Sequence, residues 1–225
     1  AIQALTKEWV REQDIEKFYD EQGICHVVLP ERGHLSPGKF CVGGDSHSPT
    51  GGAFGAYMFG IGATEMAGVL ATGKIWIKVP ETILIRWHNQ LSPFVTAKDM
   101  MLATCRKIGM GGGRYQAIQF AGDAVRQLGM QDRMTLSNMA AELGAQAGLI
   151  APDETTIDYI HKAGGIVPED WRSYQIEAAE TDDNLMSFDA AALAPQIAAP
   201  HSPANADDAE AFKNTRFDLA YIGAC

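Results

Sequence analysis

Asp45, Ser46 and His47 set a carboxylate, a hydroxyl and an imidazole on three successive residues, inside Gly44-Asp45-Ser46-His47-Ser48-Pro49-Thr50. A carboxylate beside a histidine can fix the tautomer and orientation of the ring, which is what acid–base chemistry near neutral pH requires. The same residues would serve as a helix cap, with Asp45 and Ser46 taking free N–H groups and His47 idle on the surface. The spacing supports both. His26 stands in an otherwise apolar run, Ile24 to Leu29. There it is either a hydrogen-bonded core histidine or, if its run neighbours the one leading to Asp45, part of the same site. Asn138 and Glu142 are four residues apart, which on a helix places them on one face. Their neighbours Met139, Ala140, Ala141 and Leu143 are apolar or small, so a buried Glu142 needs a partner, either Arg133 or a site histidine. Cys225 follows Tyr221-Ile222-Gly223-Ala224, and one cysteine does not make a metal site. Cys25, Cys41 and Cys105 lie in apolar runs and read as core thiols.

The elements that must position these groups follow from periodicity. Residues 5–22 carry Trp9, Ile15, Phe18 and Tyr19 at helical spacing. Ile24 to Leu29 and Lys39 to Val42 read as buried strands, the second feeding directly into Asp45. From Thr50 to Gly73 glycine and alanine dominate, and the pattern predicts helices packed closely on a sheet. No strand–GxGxxG–helix unit is present. Composition shifts near Val79-Pro80. Beyond it, Thr82 to Trp87 reads as a strand, and Thr96 with Asp99 as a capping box opening a helix through Ile108. Ala117 to Phe120 reads as a strand and Asp123 as a helix start. Residues 135–149 read as an Ala/Gly-rich helix, and Asp153 as the cap of a helix to about Lys162. The stretch 177–216 is acidic and proline-punctuated, a surface connector, and Phe217 to Ile222 reads as a buried strand. Strands alternating with helices give an α/β class.

Composition narrows the function. The chain has 225 residues with 46% hydrophobic and 20% charged residues, an ordinary globular balance. Its net charge of −10 argues against sequence-independent binding to nucleic acid or anionic lipid. No stretch approaches the roughly 18 apolar residues that span a bilayer, and the first residues are too polar for a signal peptide. Four scattered cysteines fit a reducing, cytoplasmic compartment. A start at Ala1 and a stop at Cys225 straight after an apolar run read as a piece of something longer.

Taken in order, these segments resemble the aconitase family. The residues that carry the resemblance are Ile24-Cys25-His26, Gly44 through Gly55, Gly60-Ile61-Gly62-Ala63-Thr64-Glu65-Met66, Ala71-Thr72-Gly73-Lys74 and Lys78-Val79-Pro80-Glu81. They continue in Ser137-Asn138-Met139-Ala140-Ala141-Glu142-Leu143-Gly144-Ala145, Pro152-Asp153 and Tyr221-Ile222-Gly223-Ala224-Cys225. Within the family the chain is most similar to the large subunits that act on isopropylmalate or homoaconitate. The resemblance implies three-layer α/β/α domains: the C-terminal part of a first domain over 1–79, a second over 80–216 with its acidic connector, and the first strand of a third over 217–225. It also implies a hydro-lyase that isomerises a hydroxy di- or tricarboxylate by dehydration and rehydration. A 4Fe-4S cluster held by three cysteines would supply the Lewis acid for the leaving hydroxyl.

Residue by residue, the resemblance makes Asp45, Ser46 and His47 the tripeptide that contacts the substrate, and His26 a second site histidine paired with Asp45. Glu142 becomes the partner of His47, Asn138 a polar contact near substrate and cluster, and Cys225 one cluster ligand, the others lying outside this chain. The implied partners are a small swivelling domain or subunit and a small carboxylate. From these follow two expected contacts: His47 with Glu142, and His26 with Asp45 across neighbouring strands. Gly112-Gly113-Arg114-Tyr115 with Gln119 departs from the family's usual Gly-Thr-Gly turn and Glu. Alternatives are a related hydratase acting on maleate, citraconate, dimethylmalate or homoaconitate, a cluster-free RNA-binding regulator, which the charge opposes, or an inert fragment.

Overall fold

Two parallel sheets divide the work of carrying the site. In the computed structural model, which describes residues 2–181 and 183–223, helix α1 (Ile2–Glu12) and the short helix α2 (Cys25–Glu31) precede strand β1 (Phe40–Gly43). A tight helical stretch over Ser48–Phe54 leads to strand β2 (Tyr57–Gly60), which pairs parallel with β1, and then to helix α3 (Ala63–Thr72). The second sheet is wholly parallel, in the order β5-β4-β3-β6: β3 (Thr82–His88), β4 (Ala117–Ala121), β5 (Ala147–Ile150) and β6 (Leu185–Asp189). Between its strands run α4 (Ala97–Ile108), α5 (Asp123–Gln127), α6 (Met130–Met139) and α7 (Glu154–Lys162). A hairpin, β7 (Gln196–Ala198) with β8 (Ala206–Asp208), packs against α4. The expected mixed α/β class is what the chain forms.

Each sheet has its own core. Ile85 and Trp87 of β3 pack with Met100 and Met101 of α4 and Leu136 of α6, all 1% exposed or less. Trp87 stacks on Phe188 of the adjacent strand, ring centroids 4.4 Å apart. The second core gathers Leu35, Phe54 and Met58 from the first half of the chain with Met130, Ile160 and Trp171 from the second. It therefore glues the two sheets together. The glue has one very close approach: a Cβ on Gly52 would overlap the carbonyl oxygen of Gly148 in β5. Backbone sits on both sides of that contact and neither can retreat. Gly52→Ala should lower stability by about 1–3 kcal/mol or more, the usual cost of overpacking, read as a drop in the urea midpoint at unchanged slope.

Several elements form as their patterns dictate. Asp99 accepts from the Thr96 backbone N–H at 2.7 Å and from its hydroxyl at 2.9 Å, opening α4. Asp153 accepts from the Thr156 N–H at 3.2 Å and opens α7. Strands β1, β3 and β4 lie on the runs Lys39 to Val42, Thr82 to Trp87 and Ala117 to Phe120 that predicted them, within one residue at each end.

Other elements differ from the sequence reading, each for a local reason. The first helix stops at Glu12, because Asp14 takes a left-handed φ of 52° that a helix cannot continue through. Ile24 to Leu29 is helical rather than a strand: its backbone closes locally, Val28 N–H to the Ile24 carbonyl and Arg32 N–H to the Val28 carbonyl. A short apolar run has no period long enough to tell the two apart. Between Thr50 and Gly73 lies a strand, β2, as well as helix.

The second half holds further corrections. Residues 135–149 are not one helix: α6 ends at Met139, Gly144 turns left-handed at φ 71°, and the small residues Ala147 and Gly148 let strand β5 lie against Ser137 and Ala140. The stretch 177–216 is more than a connector, since it supplies β6 and the β7–β8 hairpin, its acids fastened to Arg86 and Arg106. Phe217 to Ile222 forms no strand, and Phe217, Leu219, Tyr221 and Ile222 are 75–100% exposed. Helix α3 buries none of its residues, and Trp76 beyond it is 86% exposed.

Candidate active site

Strand β1 delivers the backbone to Gly43, and the chain then bends through Gly44 to His47 before tightening into Ser48–Phe54. Asp45 holds that bend: its Oδ1 accepts the His47 N–H at 2.7 Å, and its carbonyl accepts the Ser48 hydroxyl at 2.7 Å. Asp45 thus fixes the bend, but the helical stretch after it starts from His47 with no side-chain cap, so the capping reading of Asp45 and Ser46 does not hold. The oxygen that fixes the turn also lies 3.4 Å from Nδ1 of His26 and 3.8 Å from Nδ1 of His47. Ser46 Oγ sits 3.2 Å from the same His47 nitrogen.

The other ring nitrogen of His47, Nε2, is 3.2 Å from Glu142 Oε1, closing a contact between residues 95 apart in sequence. Glu142 has this partner because Arg133 is taken: its guanidinium, 1% exposed, holds Asp153 through both Nη atoms at 2.6 and 2.7 Å. Glu142 lies in the turn after α6, so Asn138 and Glu142 do not share a helix face as their spacing suggested. Asn138 is the last-turn residue, and its amide donates to Thr50 Oγ1 at 3.0 Å. Thr50 in turn donates to the His47 carbonyl at 2.6 Å. Both residues thus brace His47 from below. Thr50 stood inside the quoted motif but its bracing role carried no signal of its own.

His26 contacts Asp45 as expected, but from helix α2 and not across neighbouring strands. It is 3% exposed, and its Nε2 has no hydrogen-bond partner. Burial, opposed by Asp45 and reinforced by the nearby His47, holds its pKa below the ordinary 6.5, so the ring is neutral at pH 7. Because the folded value is depressed, the unfolded chain binds the proton first, and stability falls as pH drops from about 6.5 through the folded value. The check is the His26 ring signal by NMR, whose midpoint should lie below 6.5, and below that of a denatured sample.

The site opens on two sides. A cavity of about 380 Å³ is walled by Gly44, Asp45, Ser46, Gly60, Ile61 and Tyr115, among others. Another, about 450 Å³, has His26, Thr50 and Asn138 in its wall together with Lys98. Tyr115, on the wall of the first, escaped the residue-by-residue reading because nothing in its local pattern marks it as near Asp45.

Similarity to known proteins places the chain in a family. The model of the aconitase family (aconitate hydratase) matches residues 2–221. The chain belongs to the aconitase family. A probable 3-isopropylmalate dehydratase large subunit of Methanothermobacter thermautotrophicus is 40% identical over 222 residues, covering 98% of this chain and 52% of the relative. The 3-isopropylmalate dehydratase large subunit 1 of Methanopyrus kandleri is 42% identical over 98% of this chain and 52% of its own length. A probable methanogen homoaconitase large subunit of Methanosarcina mazei is 42% identical over the whole chain and 57% of the relative. The chain thus spans about half the length of the curated relatives it matches.

For an iron–sulfur cluster the described residues do not by themselves fit. Among them no group of three His, Cys, Asp or Glu side chains is arranged to hold a metal ion. Burial raises the thiol pKa values of Cys25 and Cys41, and burial with the charge of Glu142 lifts that of Cys105 to about 11. Such thiols are poor donors, because a metal takes the thiolate. Cys41 and Cys105 also pack into different cores. Cys225, the ligand implied by the resemblance, lies outside the described residues. No described helix is long and apolar enough to cross a membrane.

Proposed function

We propose that this chain forms part of a cytoplasmic hydro-lyase that isomerises a small hydroxy di- or tricarboxylate by dehydration and rehydration, of the 3-isopropylmalate dehydratase large-subunit type. The observation that carries the reading is the assembly His26–Asp45–His47–Glu142, two imidazoles and two carboxylates drawn from three separate segments. Glu142 at Nε2 and Asp45 with Ser46 near Nδ1 lock the His47 ring at both nitrogens, so that a proton can be held or released at a fixed place. His26, neutral near pH 7 and bare at Nε2, stands ready beside the same carboxylate. Ser46 and Asn138 offer hydrogen bonds to a ligand in the flanking cavities.

In this reading Cys225 is one ligand of a 4Fe-4S cluster whose other ligands lie outside the chain, and a small swivelling domain or subunit completes the enzyme. The relatives' naming as large subunits supports such a partner. The domain limits proposed at residues 79 and 216 leave Asp45 and Glu142 on different domains, so the site is an interdomain one.

The test is the full-length protein, assembled anaerobically with its small partner and with iron and sulfide. It should hydrate an unsaturated diacid, whereas residues 1–225 alone should not. A complete assembly inert towards isopropylmalate, homocitrate, citrate, maleate, citraconate and dimethylmalate overturns the assignment. Turnover by residues 1–225 alone would overturn the division of labour proposed here.

A further inference from the structure

Helix α3 has the composition of a core helix and lies on the surface. Within Ala63–Thr72 the one charged side chain is Glu65, and its carboxylate is spent on the Gly62 N–H at 2.8 Å. The Thr72 hydroxyl is turned inward as well, donating to the Gly68 carbonyl at 2.7 Å. Met66 and Val69 rest half-buried on the molecule, whereas Leu70, 57% exposed, and Ala63, Ala67 and Ala71 are open to solvent. A helix that is apolar on both sides belongs inside a protein. Among the described residues nothing covers the outer side of this one.

Residues 74–80 continue the same surface as an extended stretch. Ile75 and Ile77 are half-buried while Trp76 and Lys78 are exposed, which is the alternation of a strand. Yet among the described residues no backbone N–H or carbonyl from Ile75 to Val79 has a backbone hydrogen-bond partner. This is a strand edge without a neighbour. Trp76 and Val79 are 86% and 82% exposed. Between the stretch and Phe59, Ile61 and Tyr115 runs a groove of about 510 Å³. The sheet that supplies Phe59 is incomplete too: β1 and β2 have four residues each and pair parallel with each other alone. Parallel sheets are ordinarily wider and covered on both faces.

The occupant of this face must therefore be apolar, offer a strand and remain in place. A partner that swings away leaves its contact surface in water, and such surfaces are more polar than this one. The relatives supply a better source. The chain spans 52%, 52% and 57% of three of them, so each carries nearly as much polypeptide again outside the matched part. We propose that α3 and residues 74–80 form a docking surface for a further part of the same polypeptide, outside residues 1–225. That part packs apolar side chains on Leu70, Trp76 and Val79 and adds a β-strand alongside Ile75 to Val79. Ile61 and Tyr115 line this groove and also the cavity beside Asp45 and Ser46, so the docked part backs a wall of the candidate site. The inference concerns how the chain is completed and does not rest on the chemistry proposed above.

The experiment uses the full-length protein, with and without its small partner. In the wild type the amides of Ile75 to Val79 should exchange at least about a hundredfold more slowly than in an open chain, as a paired strand in a core does, and equally in both samples. Trp76→p-benzoylphenylalanine should, on irradiation, cross-link within one chain to a peptide outside residues 1–225, read by mass spectrometry. Leu70→p-benzoylphenylalanine gives the same reading should the first variant not fold. Free exchange of Ile75 to Val79 in the full-length protein overturns the proposal. So does protection that appears only with the small partner, and so does a cross-link to that partner, to a second copy or within residues 1–225. None of these readings involves turnover, so failure here leaves the hydro-lyase assignment standing, and an inactive enzyme leaves the docking surface standing.

Discussion

Asp45→Asn in the complete enzyme should cut kcat by about 10²–10⁴-fold, the usual contribution of one acid–base group, while the fold stays intact. The asparagine keeps an oxygen that can accept the His47 N–H, so the bend after β1 survives. It lacks the charge that faces both imidazoles at 3.4 and 3.8 Å. The side chain is 43% exposed, so no core packing is lost. Circular dichroism and the melting midpoint should match wild type while turnover collapses. Activity near wild type would remove Asp45 and its two histidines from the proposed chemistry. Glu142→Gln in the same background should add much less than its single effect, because both carboxylates act through one ring.

The largest effect on stability should come from a pair that takes no part in the chemistry. Asp153→Ala leaves the Arg133 guanidinium, 1% exposed, with two backbone carbonyls (Leu128 and Arg126), the Thr156 hydroxyl and no counter-charge. Breaking a buried ion pair in this way costs about 3–5 kcal/mol. The lost α7 cap adds about 1 kcal/mol. Arg133→Met with Asp153→Ser should recover most of the deficit, since it removes the stranded charge and keeps a cap. The same pair sets an acid limit. Burial alone would raise the Asp153 carboxyl, but the Arg133 hydrogen bonds and charge outweigh it and hold it below the ordinary 3.8. Its contribution is complete above about pH 4 and is lost as pH falls through the lower folded value, which an acid titration of the urea midpoint would show.

How far the sequence could be read depended on whether the signal was local. Thr96 with Asp99, and Asp153 with Thr156, announce their helices because the cap and its partner sit three residues apart. The tripeptide of Asp45, Ser46 and His47 announced itself for the same reason. Ile24 to Leu29 failed because its apolar side chains suit either a strand or one turn and a half of helix, and only the packing of α2 on Ser48–Phe54 decides. Residues 140–149 failed because small residues serve two ends: they favour helix, and they also allow Gly148 to press against Ala140. The contact of Glu142 with His47 was reachable only by elimination and resemblance. Elimination by itself left Arg133 as an equal candidate, and only the structure shows that guanidinium committed to Asp153.

The docking of Gly52 against Gly148 also governs when the site comes into being. Asp45 and His47 follow β1 of the two-stranded sheet, Glu142 lies in the turn that leads into β5 of the four-stranded one, and the closure between them spans 95 residues. Contacts of such range form late, after each part has paid its own loop-closure entropy. During refolding the His47–Glu142 pair should therefore be among the last features to appear, after α4 and β3–β4 are protected from hydrogen exchange. A misplacement of about 1 Å at that seam can cost as much as the loss of a reacting group. Slow closure, rather than chemistry, would then set the rate at which a newly made chain becomes competent.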